Sequence, residues 1–228
     1  MKKYKKLVSA GCSLIHGSEL GDEFPFSQQT YPALLAKNYG LEYDCIAYPS
    51  ASNQGICKKV MEYDNKENCL FLIQWTYPSR QGVNLSYDYK NKEGNFSSWF
   101  DMAPNNWDLN GKLSMYSDYT QQLKNLGIDD LSEIFYKHLG NDFHHNFYTE
   151  ISINSVELIL RKNNCDFIFV AGCNDLLIHK SLINFHGQGF VDWCKNKKFE
   201  HGYFNHPLHE AHSKAFKYIK DTVNNLNL

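Results

Sequence analysis

Four short apolar-rich runs punctuate the chain at residues 6–10, 43–47, 69–75 and 165–171, and each has the continuous character of a strand buried on both faces. Helical patterns lie between them. Thr30 is a candidate cap, with Pro32 in the first turn, Leu34, Leu35 and Tyr39 on one face, and Gly40 as the stop. Asn53 is placed to cap a second helix through Ile56, Val60 and Met61, and Ile151, Val156, Leu158, Ile159 and Leu160 mark a third before the fourth run. Strand and helix in alternation predict a parallel sheet joined by right-handed crossovers. In such sheets the functional site lies past the carboxyl ends of the strands. Ser13, Asn53 and Thr76 all fall there.

Residues 77–142 break this rhythm. Gly, Asn, Pro and Tyr dominate, and little period appears until Leu123. A connection of this length inside one domain is expected to be a binding element or a mobile loop, and Trp99, Phe100, Trp107 and Tyr116 favour a lid facing substrate. A chain of 228 residues predicts a single domain spanning 1–228, with this irregular, aromatic-rich insertion after the third strand.

The first strand runs directly into Gly11-Cys12-Ser13-Leu14-Ile15-His16-Gly17, which sets a serine on a tight strand-to-helix turn. A serine attacks an acyl carbon when it is exposed, flanked by backbone N–H donors and close to a base. Near the other end, Asn205-His206-Pro207-Leu208-His209 places a histidine just before a helix. In this order the chain resembles the SGNH (GDSL-like) hydrolase superfamily, with Cys12 where the family usually has aspartate. Pro49-Ser50-Ala51-Ser52-Asn53-Gln54-Gly55 matches the block that supplies an oxyanion donor. The resemblance covers most of the chain, though only its two terminal blocks are specific. It implies a three-layer α/β/α, flavodoxin-like architecture and ester hydrolysis through an acyl-serine intermediate.

On that resemblance Ser13 is the nucleophile, His206 the base, and Asn53, with the Ser13 N–H, the oxyanion donor. Cys12 in place of Ser13 is the other thiol or hydroxyl candidate, but its position suits a small buried residue. Two departures stand out. The family's acid falls three residues before the histidine, which here is Tyr203. The acid is therefore expected from Asp192, ranked first for its loop, or from Glu200 or Glu210; otherwise a Ser-His dyad operates, or the site is slow or dead. The family's third block, Gly-x-Asn-Asp, matches Gly172-Cys173-Asn174-Asp175 by letters, yet this follows the fourth strand. Strand order favours Gln74, Thr76 and Arg80 for the third contact, with Asn174 as the alternative. Arg80 either holds an anionic group of the substrate or pairs with a surface acid, the commoner fate.

Composition narrows the picture in three ways. Lys and Arg total 23 against 25 Asp and Glu, a net charge of −2, so no overall field draws nucleic acid or an anionic membrane. Seven cysteines without a Cys-x-x-Cys pair read as free thiols in a reducing compartment, and the apolar run after the basic start is too short for a signal segment, so a cytoplasmic protein is expected. No cofactor or metal framework is visible; His209 and His212 lack partnering Cys or Asp spacing, and one of them is expected to pack or hydrogen-bond nearby. The expected substrate is a small-molecule or carbohydrate ester, with an O-acetyl or other short acyl group on a carbohydrate as the expected form. A catalytically impaired relative binding a glycan or small ligand is the alternative.

Overall fold

A computed structural model describes residues 4–22, 24–90, 96–102 and 134–225. The expected sheet forms from β1 (Lys6–Ala10), β2 (Glu42–Cys45), β3 (Cys69–Trp75) and β6 (Asp166–Ala171). All pairings are parallel, and the order is β2-β1-β3-β6. Every residue of β3 is buried, as a central strand covered on both faces requires.

The helices distribute by handedness. Right-handed connections place α2 (Tyr31–Tyr39), between β1 and β2, on one face. The chain then reverses direction across the sheet, so α3 (Asn53–Glu62) and α4 (Asp142–Lys162) cover the other face. The C-terminal helix α6 (His209–Asn225) packs beside α2, burying Ala211, Ala215, Ile219 and Val223 at four-residue intervals. The result is a helix–sheet–helix sandwich. Direction reverses between β1 and β3, where parallel sheets of this order open a crevice at the strands' carboxyl ends.

Two local expectations shift. The second helix begins at Asn53, but its cap is Ser52, whose hydroxyl accepts the Gly55 N–H at 3.0 Å. The start of the insertion is regular: β4 (Gln81–Lys90) and β5 (Phe96–Met102) form an antiparallel hairpin. Asp101 anchors it. This buried carboxylate accepts bonds from the Ser52 N–H, the Ser52 and Tyr48 hydroxyls and the Trp99 indole N–H. Burial pushes its carboxyl up, against the pull of those donors. Gly55 leaves room for the cluster, since a side chain there would collide with the Tyr48 hydroxyl and Asp101. Trp99 and Phe100 thus fasten the hairpin instead of lining a lid: Phe100 is buried, and Trp99 lies against Gly82 and beneath the Lys58 ammonium. Trp107 and Tyr116 lie outside the described residues.

Candidate active site

After β1 the backbone makes one helical turn, α1 (Ser13–His16), capped by Cys12 and ended by Gly17 in the left-handed conformation at φ 85°. Gly17 is required twice over, because a side chain there would also meet Ser27 and Thr30. As the first residues of a helix, Ser13 and Leu14 have N–H groups without intrahelical acceptors. The chain then folds back on itself, with Glu19 at φ 70°. Such a backbone is unusual for a side chain that is neither glycine nor asparagine, and it marks a position held by its surroundings.

Those surroundings come from the far end of the chain. Residues 200–208 double back as a small hairpin, with the Gly202 N–H on the His206 carbonyl at 2.9 Å and the Leu208 N–H on the Glu200 carbonyl at 3.0 Å. Its tip wraps the Glu19 carboxylate. The Phe204 N–H reaches both oxygens at 3.0 and 3.1 Å, and the His206 N–H reaches Oε2 at 3.4 Å. His206 Nδ1 lies 2.7 Å from the same Oε2. The other ring nitrogen, Nε2, lies 2.9 Å from Ser13 Oγ. Residues 193 positions apart therefore meet at one hydroxyl–imidazole–carboxylate chain.

The charges of this chain are ordered. Burial alone would raise the Glu19 carboxyl, but the Phe204 N–H and the His206 ring and N–H outweigh it and hold it below the usual carboxylate range. Burial pushes the His206 imidazole down; Glu19 opposes this, while Arg80 and His201 add to it, and the outcome is lower than ordinary histidine. At neutral pH the ring is neutral beside an ionised glutamate. That fixes the tautomer: Nδ1–H donates to Glu19, and Nε2 accepts the Ser13 hydroxyl proton. His212, one helical turn into α6, is fully buried, accepts the Tyr31 N–H at 3.3 Å and is pushed down to about 3 by burial and by His209 and His206. It packs behind the His206 loop as a neutral ring.

Asp192, expected at the imidazole, is not there. It sits in the first turn of α5 (Phe190–Asn196) and accepts the Asn174 N–H at 2.8 Å, which ties α5 to the loop after β6. Glu200 and Glu210 are exposed, as is Tyr203. Glu19 takes the place instead, and its only sequence signal was that it follows Ser13 closely, just past Gly17.

Asn53 also departs from expectation. It is fully buried, and its amide donates to the Thr76 carbonyl at 3.1 Å and the Thr149 hydroxyl at 3.0 Å, while its oxygen accepts the Thr76 N–H at 2.8 Å. Both amide hydrogens are committed to clamping α3 and α4 onto the end of β3, so none is left for an oxyanion. Asn174 is exposed, with its amide oxygen on the Gly189 N–H at 2.9 Å, and lies just after the outer strand β6. The β3 segment beside β1 differs. Gln74, 1% exposed, has neither amide atom hydrogen-bonded among the described residues, and the buried Thr76 hydroxyl is likewise unpartnered. Tyr77, not foreseen as a site residue, stands within electrostatic reach of Cys12, Cys173, Arg80 and Asp192; burial holds its phenol above the ordinary range. Cys12 is buried, and all seven cysteines are free thiols. Among the described residues no group of His, Cys, Asp and Glu is arranged to hold a metal, and no helix is long and apolar enough to cross a membrane.

No protein-family model and no curated protein matches the sequence. The fold is similar to an acetyl xylan esterase (Est2A) from Butyrivibrio proteoclasticus, at 13% identity and TM-score 0.43, over 97% of this chain and 64% of that one. It is also similar to a G-D-S-L family protein from Desulfitobacterium hafniense DCB-2, at 12% identity and TM-score 0.35, over 94% and 97% of the two chains. A family two carbohydrate esterase from Clostridium thermocellum overlaps at 10% identity and TM-score 0.37, over 97% and 63%. The chain spans less than two thirds of the length of the two esterases.

The grip on Glu19 gives a test. A Cβ on Gly202 would lie 2.6 Å from the Glu19 Cδ and Oε1. Gly202→Ala is expected to cost about 1–3 kcal/mol in urea denaturation by overpacking. It should also displace the low-field NMR resonance of the His206 Nδ1 proton.

Proposed function

We propose that the protein is a serine ester hydrolase acting through an acyl-serine intermediate, with Ser13 as nucleophile, His206 as general base and acid, and Glu19 as the acid that orients and stabilises the imidazolium. The hydrogen-bonded chain from Ser13 through His206 to Glu19 carries this reading. Ser13 Oγ adds to the acyl carbon as its proton passes to Nε2; the tetrahedral oxyanion collapses, and the alcohol departs with the proton from His206. Water then repeats the sequence on the acyl-enzyme and returns Ser13. The imidazolium formed at each step lies against an already ionised carboxylate, so its charge is met without rearrangement. The impaired-relative alternative rested on the lack of an acid, and the contact of Glu19 with His206 supports the catalytic reading over it.

The Ser13 N–H is one oxyanion donor in this scheme, and the orphaned amide of Gln74, with the Thr76 hydroxyl beside it, supplies the second in place of Asn53. Buried polar groups without partners cost stability, and they persist where a ligand completes them. The substrate in this reading is a carbohydrate bearing a short acyl ester such as O-acetyl, as the family resemblance of the sequence implies. The same reading treats residues 1–228 as one domain.

Purified protein is expected to hydrolyse p-nitrophenyl acetate, and Ser13→Ala to abolish this without lowering the melting temperature; equal turnover by the variant would sink the acyl-serine mechanism.

Because His206 must be neutral to act and its pKa is lowered, kcat/KM should rise with pH through a midpoint below 6.5. Glu19→Gln removes the group that raises His206, so the midpoint should move to still lower pH while the plateau falls by about 10²–10⁴-fold. Asp192→Asn should leave both features in place, and the reverse ranking in a pH–rate series would restore Asp192 as the acid.

Gln74→Met separates support from function. Replacing an unpartnered buried amide with an apolar side chain of similar shape should raise stability by about 1 kcal/mol. If Gln74 serves the oxyanion, kcat should nonetheless drop about tenfold or more. A stabilised variant of unchanged kcat would remove Gln74 from the site.

A further inference from the structure

Arg80 is half-buried in the turn after β3, at the carboxyl edge of the sheet. Its guanidinium lies 5.4 Å from the centre of the Tyr77 ring, and Nη1 donates one long bond, 3.4 Å, to the Ala51 carbonyl in the loop before α3. Among the described residues no carboxylate pairs with it. An arginine carries five N–H donors in a rigid fork, so most of its capacity is unused. Its position is set by an aromatic face from its own turn and a backbone oxygen from the loop before α3.

The charge of Arg80 reaches His206, where it disfavours the positive ring. In a site whose base must become an imidazolium, an unpaired guanidinium opposes the reaction. An anion bound to that guanidinium removes the opposition at the moment the substrate arrives. A neutral ester leaves the conflict in place.

We propose that Arg80 is a specificity residue that binds an anionic group, a carboxylate or phosphate, on the alcohol portion of the ester, so that the Ser13 site selects acidic esters. This rests on the esterase reading and narrows it. The planar fork fits two oxygens of either anion in a bidentate contact, while the Tyr77 ring keeps the guanidinium plane from turning away. Within a carbohydrate, the group would be an acidic or phosphorylated sugar bearing the acyl ester.

The test compares p-nitrophenyl acetate, 4-acetoxybenzoate and 4-acetoxyphenyl phosphate as neutral, carboxylate and phosphate esters, with wild type, Arg80→Gln and Arg80→Lys. For each substrate the variant-to-wild-type ratio of kcat/KM cancels intrinsic reactivity. Arg80→Gln should lose at least about tenfold more on one anionic ester than on the neutral one, chiefly through KM, as loss of a charge-assisted contact implies. Arg80→Lys should recover part of the loss, and the anion that suffers more identifies carboxylate or phosphate as the natural group. Equal ratios for all three esters overturn the proposal. If wild type hydrolyses none of them, the esterase reading fails, and calorimetric titration with 4-hydroxybenzoate and phenyl phosphate then decides Arg80 alone. Binding that Arg80→Gln abolishes upholds the anion site, and no binding, or binding that the variant retains, overturns it.

Discussion

The Glu19 carboxylate joins the two ends of the chain, and the proposed chemistry depends on that junction. The parallel sheet places Ser13 reliably, because a turn after a central strand has little freedom. It does not place His206, which sits on an irregular segment between α5 and α6. The carboxylate does so by collecting the Phe204 and His206 N–H groups and the His206 ring around one anion. The arrangement is costly in local terms. Glu19 adopts a left-handed backbone, and Gly202 must stay without a side chain. A charged acceptor met by several donors is the kind of network that offsets such strain, since charge-assisted bonds are roughly twice as strong as neutral ones. One interaction therefore folds the loop, ionises the acid and selects the histidine tautomer.

Strand order governs the other side of the crevice. Since β3 lies against β1 and β6 lies outside it, the segment Gln74–Arg80 faces the Ser13 turn more directly than Asn174 does. Asn53 then serves the crevice indirectly. By pairing with both backbone groups of Thr76, it extends β3 by a side-chain imitation of a strand partner and fixes where Thr76 and the turn beyond it begin. The hairpin adds a second brace through Asp101 on Ser52, one residue earlier. Two buried polar clusters thus hold the loop before α3, while the Gln74 amide and the Thr76 hydroxyl beside them stay among the unpartnered buried groups.

The sheet was legible because its signal is collective. Seven consecutive buried residues in β3, six of them apolar, or the periodic face of α2 ending at Gly40, outweigh any single uncertain position. The hairpin was also written in the chain, in the alternation of Val83, Leu85, Tyr87 and Tyr89, but the surrounding Asn and Gly residues masked it. Ser13 and His206 could be picked out as a pair because each sits in a local pattern. Glu19 could not, since closeness to Ser13 alone does not single it out over Glu200 or Glu210; its contact with His206 exists only once the tip at 202–206 closes on it. Asn53 failed for the converse reason. Its letter and position suited an oxyanion donor, and only the tertiary contacts to Thr76 and Thr149 reveal that its hydrogens are spent. Sequence patterns identify groups able to do chemistry, whereas occupancy of their hydrogen-bonding capacity is decided by packing.

Occupancy also explains why the hydroxyl of Ser13 and not the adjacent thiol suits the nucleophile's place. Cys12 sits at the strand end with its side chain in the core, whereas Ser13 begins the helical turn and presents Oγ to His206. A thiol attacks as its thiolate, whereas the Cys12 side chain packs in the core and the imidazole is already committed to Ser13. The serine needs no such stabilised anion at rest. In the proposed mechanism it gives up its proton only as the new bond forms, to a ring kept neutral by burial and facing Glu19. The balance at His206 is therefore between burial, Arg80 and His201 on one side and the single carboxylate of Glu19 on the other.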